Sequence, residues 1–200
     1  MRKQAFRDKT RRAFAEVRMV ASTALGLFAG RRVWMPKEAA PKTNWVDECL
    51  KRNLALARSS YDERLKSESA GIEAVRRRAE FALTAIIAAI GLSTAAFERL
   101  WAVASNSTSL LVIWLVGVLI VVMAVLVFAG VAVSNKVLGV VQVEDFIHLR
   151  DPRREELRQY VMAVHTTSRT RRAMVTVFRD GFLIALVGLT LLAIAHTVSW

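Results

Sequence analysis

The sequence predicts an all-α membrane protein: three transmembrane helices, two long cytoplasmic stalk helices and an N-terminal basic amphipathic helix. Residues 100–135 carry no charged side chain, although Asp, Glu, Lys and Arg make up 23% of the chain. Two further apolar stretches each follow a long segment whose apolar residues recur every three or four positions, which is typical of helices. No segment alternates apolar and polar residues as a strand would.

The predicted spans cover about 81–97, 110–133 and 181–200. The middle one has 24 residues, mostly Leu, Val and Ile, which exceeds the roughly 20 that a helix needs to cross a bilayer. The first has 17 residues and is rich in Ala, and the third has 20 and ends on Trp200. Trp is favoured at the headgroup level.

The positions of the cations predict the orientation. Of the 29 Lys and Arg residues, 19 precede Ala79, 9 lie in 134–180, and only Arg99 lies between the first two spans. Because cationic segments stay in the cytoplasm, we expect a multi-pass protein of a bacterial inner membrane. Its N-terminus would be cytoplasmic and its C-terminus outside.

Two domains are expected, 1–43 and 44–200. The first would be a basic amphipathic helix followed by a linker that contains Pro36 and Pro41. Its apolar face could lie on the anionic inner leaflet or pack against the rest of the cytoplasmic part. That face consists of Phe6, Ala13, Phe14, Val17, Val20 and Ala21.

Each stalk is predicted from a helix start followed by an apolar seam. Asn44 is a candidate N-cap of an uninterrupted helix through the first span, and Asp151-Pro152 is a strong start for the helix that leads into the third. Near-heptad spacing favours packing of the two stalks against each other. The first seam is Leu50, Leu54, Ala57, Tyr61, Leu65, Ile72, Val75 and Ala79, and Glu68 breaks it.

Small residues mark faces on which membrane helices can approach closely. Ala85, Ala89 and Ser93 follow one another at steps of four in the first span, and Gly117 and Gly188 offer notches in the other two. These faces could join helices within one chain or between copies. The charges expected next to the membrane are Arg76, Arg77, Arg78, Glu80, Arg169, Arg171, Arg172, Arg179 and Asp180.

No arrangement of residues points to catalysis, a metal or a cofactor. The three His residues lack ligand spacing, and no phosphate-binding loop, nucleophile motif or pair of carboxylates is present. The net charge of +12 is explained by topology, so nucleic acid is not an expected partner. The single Cys49 fits a reducing compartment.

The layout of residues 65–200 resembles the small transmembrane effectors of bacterial anti-phage systems. It resembles the Pycsar transmembrane effectors most and the SLATT-type effectors more distantly. The likeness consists of an Arg-rich helix entering the first span, a tight hairpin, an F-x-x-L-x-D-P start, and a basic helix leading into the last span. These parts are VRRRAEFALTAIIAAIG, then Phe146, Leu149, Asp151 and Pro152, then SRTRRAMVTVFRDGFLIALVGLTLLAIA.

The resemblance implies an oligomeric effector that disrupts the inner membrane when a nucleotide second messenger or a sensor protein signals infection. The alternative is a non-conducting membrane anchor whose cytoplasmic helices bind a partner. A holin-like lysis protein is a third option, which the long stalks disfavour.

Overall fold

The computed structural model describes residues 14, 16–18, 20, 21, 39–94, 108–133, 141 and 151–198. These residues form four helices in chain order: α1 (Trp45–Glu48), α2 (Lys51–Thr94), α3 (Thr108–Val133) and α4 (Pro152–Val198). Residues 14, 16–18, 20 and 21 are helical as well, and no strand occurs in the described part of the chain. The predicted all-helical class is confirmed.

Two helices are long and apolar enough to cross a membrane. They are Ser109–Val133, with a mean hydropathy of 3.3, and Pro152–Thr197, whose apolar stretch has a mean hydropathy of 2.0. Only 22% of each window is buried inside the protein, whereas a core helix of a soluble domain is mostly buried. Neither segment lies near the N-terminus, as a signal sequence would.

The predicted span at 81–97 is not among these two helices. Helix α2 ends at Thr94, so only its last 14 residues follow Glu80. The remaining residues of that predicted span lie outside the described ones. A third transmembrane helix therefore stays a prediction.

The start of α4 at Pro152 confirms the prediction, and the amide of Glu155 donates a hydrogen bond to the carbonyl of Asp151.

The prediction of an uninterrupted helix from Asn44 is wrong. Asn44 precedes a single turn and makes no side-chain capping bond, and the chain turns extended at Cys49 before α2 begins at Lys51. The break has a packing reason, because it lets fully buried Val46 contact a cluster with Leu54 and Leu157.

The described residues divide into two compact units. The first, called the apolar unit here, contains 1–34, 76–134 and 175–200. Its core includes Phe128, whose ring lies 5.5 Å from that of Phe178. Many large apolar side chains are nevertheless exposed, among them Phe81 at 77% and Leu119 at 64%. This unit therefore presents apolar surface outward on several helices.

The second, called the charged unit here, contains 35–75 and 135–174. Its parts of α2 and α4 run parallel, because contacts join Leu54 to Leu157 and Glu68 to Arg171. Around the buried cluster, Trp45 stacks on Tyr61 at 6.0 Å between ring centroids. The seam residues Leu54, Ile72 and Val75 are buried, as helical spacing predicts.

Candidate functional site

Helices α3 and α4 of the apolar unit meet at glycines. A Cβ built on Gly188 would lie 2.7 Å from Val121 Cγ2, and one on Gly117 would lie 3.1 Å from Leu192 Cδ2. The paired positions run in opposite chain directions, so the helices are antiparallel. Gly181 adds a third notch, where a Cβ would lie 2.8 Å from Val127 Cγ1. The notches let the helices approach closely, because a larger residue at Gly188 or Gly181 would force its neighbours to move.

The predicted small face of α2 is only partly covered within the chain. Ala85 is exposed and Ala89 is half-buried. The side chain of Ser93 lies outside the described residues. The residue that α2 buries most deeply in this stretch is Ile86. The two glycines of the predicted set thus pack within one chain, whereas Ala85 remains accessible.

An apolar groove of about 520 Å³ runs between α2 and α4 in the apolar unit. Its walls include Phe81 and Ala85 from α2 and Phe182 and Leu186 from α4, and Phe128 of α3 contributes to the lining. Arg77 and Arg78 also line it, and they are the only charged residues among its described lining residues. The surface of the groove is almost wholly apolar, and the two arginines border it at one end. The sequence did not reveal it, because it depends on which helix faces meet.

The three consecutive arginines of α2 have different roles. The Nε of Arg76 donates a hydrogen bond of 2.8 Å to the carbonyl oxygen of Ala132. That carbonyl belongs to the last turn of α3, where helix carbonyls lack partners and the helix dipole is negative, so Arg76 caps this helix. Arg77 and Arg78 are exposed.

The charges at the start of the predicted third span pair locally. Arg179 contacts Asp180 at 2.9 Å and Glu16 of the N-terminal segment at 3.6 Å. Glu80 is exposed, and its backbone carbonyl accepts a hydrogen bond from the Thr84 hydroxyl. The N-terminal segment thus contacts α4 through an ion pair that sequence reasoning did not predict.

The second arginine cluster lies in the charged unit. Arg171 binds Glu68 at 3.0 Å, and the pair explains why Glu68 interrupts the apolar seam. The Arg171 side chain also lies over Gly71, where a Cβ would come within 2.7 Å of its Cδ. Arg169 is half-buried and Arg172 is exposed.

Further ion pairs lie within the charged unit. Arg58 contacts Glu156 at 2.9 Å, and Arg158 binds both Asp47 and Glu155. On α2 alone, Asp62 lies 2.6 Å from the Lys66 ammonium. That contact raises the pKa of Lys66, because the hydrogen bond and the charge attraction favour the protonated form.

Within the described ranges, no group of three or more His, Cys, Asp or Glu residues could hold a metal ion. His165 and His196 are both half-buried, and His148 lies outside the described residues. The candidate site is therefore a packing and binding surface in the apolar unit, built from the glycine notches, the exposed Ala85 and the groove.

Comparison with family models, with curated proteins and with solved structures found no match for this chain.

Proposed function

We propose that this chain crosses a bacterial inner membrane three times and acts as an oligomeric, membrane-disrupting effector of an anti-phage system. A nucleotide second messenger or a sensor protein would trigger it. The observation that carries the proposal is the outward-facing apolar surface of the apolar unit, on α2 as well as on α3 and α4. The layout that resembles anti-phage transmembrane effectors supplies the biological role.

The lengths of α2 and α4 agree with a third span and two stalks. Helices α2 and α4 have 44 and 47 residues, and about 20 residues suffice to cross a bilayer. The apolar ends of both helices would lie in lipid, and the rest would project into the cytoplasm. In α2, Phe81 and Ile87 are 77% and 55% exposed, which suits side chains that face acyl chains.

An oligomer is proposed because the spans cannot line water alone. Residues 81–94, 110–133 and 181–198 contain no Asp, Glu, Lys or Arg, and their one ionisable ring is His196 near an end. A leak would have to form between copies or by deforming the lipid. Of the small residues predicted to form helix contacts, Ala85 is exposed and available for such contact.

Induced expression in bacteria, followed with a membrane-potential dye, tests this proposal. We expect depolarisation by the native chain when its signal or genomic neighbours are supplied. Ala85→Leu should abolish it, because a larger side chain blocks close helix contact. Ala88→Leu makes the same change at another exposed position of α2 and should leave depolarisation intact. Depolarisation that persists in Ala85→Leu would contradict the oligomer.

Reporter fusions test the proposed topology independently of activity. Alkaline phosphatase, which is active only outside the cytoplasm, should be active after Trp200 and inactive before Met1. Activity at neither end would place both termini in the cytoplasm and would contradict three spans.

The second candidate is a non-conducting anchor that binds a partner through its cytoplasmic helices. Exposed apolar side chains in the charged unit favour it, since Leu50 and Leu56 are 57% and 73% exposed. A culture that stays fully polarised at high expression, with and without the neighbouring genes, would support the anchor. A nucleotide cyclase or nucleotidyltransferase encoded next to this chain would support the effector.

A further inference from the structure

The groove of the apolar unit has the dimensions of a lipid site. It extends along α2 from Arg77 to Ile86 and along α4 from Phe178 to Leu189. At 1.5 Å per residue, these stretches are about 15 Å long, which is half of a bilayer core of about 30 Å. The volume of about 520 Å³ falls within the range of roughly 300–1,000 Å³ that small-molecule sites occupy.

The two ends of the groove differ in chemistry. Arg77 and Arg78 come first along α2, and the lining beyond them is entirely apolar, from Phe81 through Ile86 on α2 and out to Leu189 on α4. A ligand that complements both parts has an anionic head and an apolar tail about as long as one leaflet of the bilayer is thick. A soluble anion would leave the apolar walls uncovered, and an apolar peptide would leave the two cations without a counter-charge.

Arg77 and Arg78 are available for such a head group. The neighbouring Arg76 is already engaged with the carbonyl of Ala132. Arg77 and Arg78 are exposed and form no ion pair with any carboxylate in the described part of the chain. An exposed guanidinium group suits phosphate, to which it can donate two hydrogen bonds.

We propose that the groove between α2 and α4 binds one anionic phospholipid, whose phosphate contacts Arg77 and Arg78 and whose acyl chain lies against Phe81, Ala85, Phe128 and Phe182. Charge complementarity and length identify this occupant. The inference rests on the proposed membrane insertion but not on effector activity, so purified protein can test it by itself.

Native mass spectrometry of the full chain, released from detergent with added lipid, measures the binding. With acyl chains held the same, we expect phosphatidylglycerol to be retained about thirtyfold better than phosphatidylcholine, because two nearby cations at about 1 kcal/mol each give about 2 kcal/mol, and about 1.4 kcal/mol is a factor of ten. The double variant Arg77→Gln/Arg78→Gln should lose that preference. The control Arg52→Gln/Arg64→Gln removes the same charge from exposed positions of α2 outside the groove and should keep it.

A second pair of variants tests the tail. Ala85→Phe should lower retention of both lipids several-fold by filling the groove, whereas Ala88→Phe, which lies outside it, should not. Equal retention of the two lipids by the native chain would overturn the site, as would a preference that survives Arg77→Gln/Arg78→Gln. A dimer mass that disappears in Ala85→Phe, with no head-group preference, would assign the groove to a second copy instead.

Discussion

Helices α2 and α4 in the charged unit and helices α3 and α4 in the apolar unit pack by different means. In the charged unit, a buried apolar cluster around Leu157 is flanked by ion pairs such as Arg58–Glu156 and Glu68–Arg171. In the apolar unit, Gly117, Gly181 and Gly188 leave room for side chains of the facing helix, so that α3 and α4 pack closely. The first pattern gains stability by removing apolar surface from water. The second suits lipid, where no hydrophobic driving force brings apolar helices together and close van der Waals packing stabilises their contact.

The largest expected loss of stability comes from disrupting the buried apolar cluster of the charged unit. Leu157→Ala should lower the free energy of unfolding by about 2–5 kcal/mol, because Leu157 is 1% exposed and its removal leaves a cavity. Thermal unfolding of the detergent-solubilised chain, followed by circular dichroism, measures this. Leu56→Ala is the matched control at a side chain that is 73% exposed, and it should change stability by less than about 1 kcal/mol. Equal losses in the two variants would mean that the cluster does not stabilise the charged unit.

A smaller loss is expected from closing a notch in the apolar unit. Gly188→Val places atoms where Val121 Cγ2 and its backbone nitrogen already lie, at 2.7 and 3.0 Å from a Cβ. Overpacking of this kind costs about 1–3 kcal/mol. The same assay applies, with Gly91→Val as the control, since a Cβ on Gly91 meets nothing within 4 Å. Tolerance of Gly188→Val would show that α3 and α4 do not pack closely through this glycine.

The smallest expected effect concerns the ion pairs. Glu68→Gln should cost about 1 kcal/mol, because Glu68 is only 14% exposed and its loss leaves Arg171 without that partner. Asp62→Asn breaks the pair with Lys66, whose side chain is 74% exposed, and should cost less than about 0.5 kcal/mol. Added salt should reduce the stability cost of Asp62→Asn more than that of Glu68→Gln, because screening weakens the exposed pair more than the partly buried one. A larger loss in Asp62→Asn than in Glu68→Gln would contradict this ranking.

Periodicity and hydropathy were sufficient to predict the all-helical class and the positions of α3 and of the start of α4. The apolar run at 110–133 and the Asp151-Pro152 start have local causes that a sequence displays directly, and both lie where expected. The break at Cys49–Leu50 could not be predicted, because it depends on Val46 reaching Leu157, more than a hundred residues away along the chain.

The contacts between residues of the site were harder to predict than the residue types that form it. Gly117 and Gly188 were recognisable as small residues in apolar helices, but their partners depend on the antiparallel register of α3 and α4. Arginines that look equivalent in sequence have separate tasks: Arg76 caps α3, Arg171 binds Glu68, and Arg77 and Arg78 line the groove. Only the three-dimensional arrangement of their neighbours distinguishes them.

The contacts between α2 and α4 in the charged unit have a mechanical consequence. Arg58–Glu156 and Glu68–Arg171 join the two helices at points ten residues apart on α2 and fifteen residues apart on α4. Sliding α4 along α2 by one helical turn, about 5.4 Å, would change the geometry of both pairs at once. A trigger that shifts these helices would therefore have to rearrange both contacts together.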